Sequence, residues 1–217
     1  DDEPHQLDQS RCRIGLRTVE LDTSPDEIGS KFVLKVNGKP IFCKGFNWIP
    51  DDCFLDRATE PARVRERIQQ AVDAGANMLR VWGGGIFETD DFYDVCDEMG
   101  VLVWQDFLFA CAMYPEEEPF RSEVEAEARY NVARLAHHPS LALWNGCNEN
   151  IWAYRDWGWK DSDEAIRYPD GRIVENPIST LEEQAFHYMA LQRMADVLRA
   201  FVARSGHPMM LVSADYS

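Results

Sequence analysis

The chain has 217 residues, 45% of them hydrophobic, enough for a substantial core and one to two domains. Its 38 acidic residues against 22 basic ones leave a net charge of −16, which disfavours nucleic acid or an anionic membrane surface as a partner and suits a neutral or cationic ligand. No apolar run approaches the roughly 20 residues of a bilayer span, and the six cysteines, without a CxxC pair, read as small buried residues in a reducing, cytoplasmic setting rather than as a disulfide framework or a metal site.

The opening Asp1-Asp2-Glu3-Pro4-His5 has neither a Met nor a signal peptide, so the chain reads as starting inside a longer protein. Val19 and Leu21 alternate with polar neighbours and predict a strand within residues 11–22, broken at Ser24-Pro25-Asp26-Glu27. Residues 32–36 and 40–42 predict two strands across a tight turn, because Asn37-Gly38 is a strong hairpin signal. Strand and helix then alternate. Residues 41–46 predict a strand, and a helix capped by Thr59 carries Val64, Ile68, Ala71 and Val72 on one face up to Gly75. Residues 78–81 form the next strand. Phe92, Val95, Cys96 and Met99 mark a helix ended by Gly100, and residues 101–104 form a third strand. A charged helix with Val124, Ala128, Val132 and Leu135 as its stripe precedes a buried strand over 139–144. A long helix from about 181 to 204 and a strand over 209–212 complete the pattern.

This alternation implies an α/β fold with a parallel sheet. Periodicity does not separate a closed barrel from an open doubly wound sheet. Gly83-Gly84-Gly85 is not a GxGxxG fingerprint, so neither a dinucleotide site nor any other cofactor is expected.

Polar or aromatic residues follow the first four of these strands: Asn47-Trp48, Arg80 and Trp82, Gln105-Asp106, and Asn148-Glu149. On one rim of a sheet of this kind they describe a pocket. Trp104 and Trp144 lie within strands and read as core. Trp82, followed by three glycines that let backbone approach closely, reads as part of the site. Beyond Glu149 come Trp152, Tyr154, Trp157 and Trp159 among Arg155 and Asp156, a mixture of flat apolar faces and hydrogen-bonding groups that suits a sugar. The adjacent His137 and His138 are expected to point apart, with no carboxylate at ligand spacing, so they read as helix-end residues and not as a metal site. Glu116-Glu117-Glu118 reads as helping to start the charged helix, or as a solvated run.

Taken together, Phe42 to Pro50, Asn77 to Gly85, Val103 to Phe107 and His138 to Asn150 resemble the β-mannosidases of glycoside hydrolase family 2. The Arg-Val-Trp-Gly-Gly-Gly and Asn-Glu-Asn elements set this resemblance apart from the β-galactosidase and β-glucuronidase branches. It implies a (β/α)8 TIM barrel of which about the first five strand–helix units are present. Residues 1–24 would end an immunoglobulin-like β-sandwich, and residues 25–217 would be the N-terminal portion of the catalytic barrel. It further implies Glu149 as general acid/base, Asn148 as ligand of the sugar 2-hydroxyl, and Trp82 and Trp157 as walls of the −1 subsite. Arg80 and Asn47 would support the rim, with Asp106 among the substrate-binding residues. Cys147 departs from the Asn carried by many relatives. The implied reaction is retaining hydrolysis of terminal β-mannosides by two carboxylates about 5–5.5 Å apart. The nucleophile would follow the seventh strand, outside this chain, which is therefore read as a fragment, inactive without the remainder of its parent polypeptide. An exo-β-glucosaminidase of the same family, and a sugar-binding module without catalysis, are the alternative readings.

Overall fold

The computed structural model describes residues 8–9, 14–112, 114–115, 117–150, 153 and 211–212. Val19–Asp22 (β1), Val33–Val36 (β2) and Lys39–Ile41 (β3) form an antiparallel sheet in that order. The expected hairpin is present: Asn37 and Gly38 have φ of 51° and 72°, the left-handed pair that matches the twist of the flanking strands. Asn37 also binds Thr18 through its backbone N–H and its Oδ1, both at 2.9 Å, which ties the turn to the approach to β1.

Gly45–Trp48 (β4), Met78–Val81 (β5), Leu102–Asp106 (β6), Leu141–Asn145 (β7) and Leu211–Val212 (β8) form the second sheet. Its strands are all parallel and lie side by side in chain order. A doubly wound sheet reverses its strand order at a switch point; these five strands do not. Leu55–Ala58 (α1) and Pro61–Asp73 (α2) link β4 to β5, Asp90–Met99 (α3) links β5 to β6, and Phe120–Leu135 (α4) links β6 to β7. All five residues of β7 are buried, as expected of a parallel strand covered on both faces.

The helices bury the stripes read from their spacing. Val64 and Ile68 of α2, Phe92, Val95 and Cys96 of α3, and Ala128, Val132 and Leu135 of α4 meet Leu79, Val81, Val103 and Trp144 in one cluster. Gly75 and Gly100, at φ of 87° and 70°, follow α2 and α3 in the left-handed conformation. Glu118 starts α4 as anticipated, its Oε2 accepting from the Ser122 N–H (3.1 Å) and hydroxyl. A smaller cluster of Leu34, Met78 and Ala142, with Val19, Leu102 and Trp104 against it, packs the antiparallel sheet onto the parallel one.

Several local expectations need correction. The first parallel strand spans 45–48 rather than 41–46, because the Asn77 side chain takes the Lys44 N–H (2.8 Å) and donates to Phe42 O (3.0 Å) where a strand ladder would run. A Cβ at residue 45 would lie 1.8 Å from Met78 O, so the close approach there needs glycine. Thr59 does not cap α2; its hydroxyl donates to Leu55 O (2.9 Å) and closes α1, while Glu60 precedes Pro61 at the first helical position. Gln105 and Asp106 belong to β6 instead of following it. Among the described cysteines only Cys96 is buried; Cys43, Cys53 and Cys111 are exposed. The predicted helix over 181–204 lies outside the described residues.

His137 and His138 do not diverge: their ring centroids are 4.1 Å apart. His138 is buried, with Nδ1 2.7 Å from Asp97 Oδ2 and 3.9 Å from Asp94 Oδ1. Two carboxylates 41 and 44 residues upstream thus meet the histidine, although local spacing showed none. Asp97 Oδ1 also accepts the Ser140 N–H at 2.8 Å, so one carboxylate on α3 fixes the turn that leads into β7. A second interior carboxylate, Glu88, accepts from Trp48 Nε1 at 3.0 Å. Burial raises its pKa above the ordinary value, partly offset by the bonds from Trp48 and the Thr89 N–H.

Asp97→Ala strands the His138 Nδ1 and the Ser140 N–H in the interior and is expected to cost about 2–4 kcal/mol in urea unfolding, with Asp97→Asn losing less. Glu88 has its folded pKa above the unfolded value of about 4.3, so its ionisation destabilises the fold as pH rises through that window. Glu88→Gln, which keeps the acceptor for Trp48, is therefore expected to be unaffected by this term at about pH 4 and to gain stability relative to the parent at about pH 8. Urea midpoints at the two pH values check it.

Candidate active site

Parallel pairing aligns the carboxyl ends of β4 to β7 and sets their side chains in rows. Asn47 stands opposite Arg80 in the β4–β5 register, Arg80 opposite Trp104 in β5–β6, and Asp106 opposite Asn145 in β6–β7. Arg80 is the hub of the polar rim. Its Nη1 donates to Asn47 Oδ1 (3.2 Å), its Nη2 to Asn148 Oδ1 (2.7 Å), and its Nε and Nη2 to the two oxygens of Asp106 (3.3 and 2.7 Å). The guanidinium also lies 5.7 Å from the Trp104 ring centroid.

Asp106 is wholly buried. Besides Arg80 it accepts from the Gly83 N–H (3.1 Å), Trp104 Nε1 (2.9 Å) and Asn145 Nδ2 (2.9 Å). The glycine run has two separate uses here. A Cβ at residue 83 would come within 2.6 Å of Phe107 O and 2.8 Å of Phe109 O, so glycine lets this amide reach Asp106. A Cβ at residue 84 would strike the Trp82 ring at 2.1 Å, so Gly84 gives the half-buried indole its seat.

Past β7 the chain keeps company with the segment that follows β6. Ala110 and Asn148 form a parallel bridge, the Asn148 N–H donates to Phe109 O (2.8 Å), and the Cys111 N–H donates to Asn148 O (3.2 Å). Glu149 then takes φ of 60°, a left-handed conformation uncommon outside glycine. Asn148 and Asn150 on either side are buried, whereas Glu149 is exposed. Asn150 Nδ2 donates to Ala112 O (3.1 Å), and the Ala153 N–H donates to Glu149 O (2.7 Å) as a helical turn begins. Glu149 Oε2 lies 3.4 Å from Asn148 Nδ2 and 3.8 Å from Cys111 Sγ.

The structure therefore joins Asn47, Arg80, Asp106, Asn148 and Glu149 in one hydrogen-bonded array. Trp82, directly after β5, lies with its half-buried ring against Gly84, and Trp157 lies outside the described residues. An exposed carboxylate beside buried amides and a guanidinium can exchange a proton with a bound molecule while its neighbours orient hydroxyl groups. Sequence reading missed Cys111, whose thiol meets the Asn148-Glu149 pair from 37 and 38 positions away. It also missed Glu88, the buried anchor of Trp48. A carboxylate directly ahead of the Thr89-Asp90 helix start was the one signal for the latter; nothing local marks the former.

No family model matches the chain. It is 48% identical over 156 residues to a β-mannosidase of Bos taurus, a match covering 71% of this chain and 18% of that protein. It is 39% identical over 199 residues to β-mannosidase B of Aspergillus clavatus, covering 86% of this chain and 23% of that one. Among solved structures, the β-D-mannosidase of Dictyoglomus thermophilum superposes with a TM-score of 0.72 at 41% identity, covering 94% of this chain and 22% of that one. A β-glucuronidase of Bacteroides uniformis, at 18% identity, shares the fold with a TM-score of 0.66 over 91% of this chain and 20% of its own length. The chain spans about a fifth of the length of the β-mannosidases it matches, and over that span it is their homologue.

Proposed function

We propose that this chain carries the acid/base part of an exo-acting retaining β-mannosidase, with a terminal β-D-mannoside as substrate. The observation that carries the reading is the exposed Glu149 set by the Asn148–Arg80–Asp106 array at the carboxyl end of β7, in a segment homologous to β-mannosidases. Five parallel strands in chain order support the first part of a (β/α)8 barrel from β4 onward. The division into residues 1–24, as the end of an immunoglobulin-like sandwich, and residues 25–217 rests on the resemblance alone, since β1 pairs with β2 and β3 across that boundary. Phe46 and Ile49 stand exposed on β4 and just beyond it, at a sheet edge that another strand would cover.

In this mechanism Glu149 gives its proton to the glycosidic oxygen as a second carboxylate, from outside these strands, attacks the anomeric carbon. The C–O bond to the leaving group breaks and a glycosyl–enzyme bond forms. Glu149, now ionised, takes a proton from water, whose oxygen displaces the enzyme carboxylate and releases mannose with retained configuration. With its Oδ1 held by Arg80, Asn148 meets the 2-hydroxyl through Nδ2, one hydrogen of which turns from its contact with Glu149 Oε2 (3.4 Å) to the sugar while the other stays on Cys111 Sγ. Asp106, buried and surrounded by donors, acts behind Arg80 and not on the sugar. Trp82 and Trp157 wall the −1 subsite, and Asn47 and Arg80 hold the rim. The net charge of −16 favours one second reading, a cationic β-glucosaminide substrate.

The full-length protein is expected to turn over an aryl β-D-mannoside in preference to the matching β-glucoside, β-galactoside and β-glucosaminide. Glu149→Ala should lower that turnover by about 10²–10⁴-fold. Azide should restore it on a substrate with a good leaving group, giving the β-mannosyl azide. Turnover confined to the glucosaminide would move the substrate class, and none on any of the four would sink the hydrolase reading. Arg80→Lys keeps the charge but loses the forked contact to Asp106 and the joint hold on Asn47 and Asn148. It is expected to lower kcat/KM at least about tenfold and to lower Tm, measured on the same protein.

A further inference from the structure

Cys111 is engaged with the candidate acid/base unit at four points. Its N–H donates to Asn148 O at 3.2 Å, and its Sγ lies 3.9 Å from that same oxygen. The sulfur accepts from Asn148 Nδ2 at 3.3 Å and stands 3.8 Å from Glu149 Oε2. Cys111 sits in the left-handed region, at φ of 46°, one residue after the Ala110–Asn148 bridge that stitches the β6 and β7 loops together. Two residues in this uncommon conformation, Cys111 and Glu149, thus face each other through their side chains.

A thiol offers one weak donor and one weak acceptor. With the acceptor used by the Asn148 amide, the S–H is left for Glu149 Oε2 or Asn148 O. A strong charge-assisted donor would favour the ionised carboxylate. A weak one orients the carboxylate and leaves it able to alternate between acid and base. The longer C–S bond also spans a gap that the hydroxyl of serine must move to close.

We infer that Cys111 is a positioning residue for proton transfer by Glu149, setting the carboxylate through the Asn148 amide and a direct S–H contact; this rests on the acid/base reading of Glu149. The test uses the full-length protein and compares kcat/KM for phenyl β-D-mannoside, whose leaving group needs protonation, with 2,4-dinitrophenyl β-D-mannoside, whose leaving group hardly does. Cys111→Ala is expected to lose about tenfold on the phenyl substrate, a fraction of the full acid/base contribution, and less than about threefold on the dinitrophenyl one. Cys111→Ser should return the phenyl substrate to within about threefold of the parent, because it restores a donor. Cys111→Gly, which relaxes the left-handed backbone while removing the thiol, should show the same split as Cys111→Ala even if the alanine variant folds poorly. Equal losses on both substrates, or no loss on either, would overturn the inference while Glu149→Ala still abolished acid catalysis. A Glu149→Ala variant as active as the parent would remove the acid/base reading and this inference with it.

Discussion

The buried carboxylate of Asp106 is the constraint on which the rest of the rim depends. An ion taken wholly out of water costs several kcal/mol unless its lone pairs are filled. Here donors come from Arg80 on β5, Trp104 on β6 itself, Asn145 at the end of β7 and the backbone of Gly83. That requirement fixes where three strands end relative to one another. It also explains why residue 83 has no side chain, because a Cβ would collide with the carbonyls of Phe107 and Phe109. Arg80, held from behind, then has a set direction in which to meet Asn47 and Asn148. Positioning at the rim is a consequence of satisfying one interior charge.

The two ends of the parallel sheet have divided tasks. At one end, Leu34 of the antiparallel sheet packs on Met78 and Ala142 and Phe32 lies 6.3 Å from the Trp104 ring, while Arg17 donates to the carbonyls of Pro139 (2.9 Å) and Leu141 (2.8 Å). At the other end, the strands finish in amides, a guanidinium and carboxylates. Between them the helices close over β5 to β7 through fully buried Ile68, Phe92, Cys96 and Leu135. Asp97 pins His138 and Ser140 at the turn into β7, so the strand that delivers Asn148 and Glu149 is fixed at its start by one carboxylate's contacts and along its length by burial. Chemistry at one end of such a sheet and stability at the other is the arrangement expected where βα-loops carry function.

What was legible in the sequence follows from range. Helices α2, α3 and α4 announced themselves because an apolar stripe of period 3.6 is a local property, and Val64, Ile68, Phe92, Val132 and Leu135 do fill the core. The Asn37-Gly38 turn was legible for the same reason. Strand limits were not: Gly45 opens β4 because of Met78 O, and Asp106 stays inside β6 because the ladder with β7 continues to Asn145. Thr59 looked like a cap because capping residues are recognised by type, and Pro61, with no N–H to satisfy, removed part of that need. The rim residues Asn47, Arg80 and Asn148 could be picked out as polar groups near the carboxyl ends of apolar strands, although Asn47 and Arg80 lie within β4 and β5 and only Asn148 follows its strand. That Asp106 lies behind Arg80 could not, since burial and saturation are three-dimensional facts. His138 with Asp97, Trp48 with Glu88 and Cys111 with Glu149 are pairs 38 to 41 positions apart, beyond any spacing rule.

The left-handed backbone at Glu149 gives these arrangements a common meaning. A non-glycine residue held there costs on the order of 1–2 kcal/mol, and it persists only where the surroundings over-determine it. They do so here. Asn148 is tied to Phe109 and Cys111 through the backbone and to Arg80 through its side chain, while Asn150 is buried against Ala112. Glu149 is therefore the one exposed residue in a run of buried amides, held by its neighbours and not by its own packing. A carboxylate placed by burial would be walled off from a ligand, and one on a free loop would have no fixed direction. Strain at the backbone, offset by contacts on both sides, gives both access and direction, which is what the proposed acid/base role of Glu149 would require.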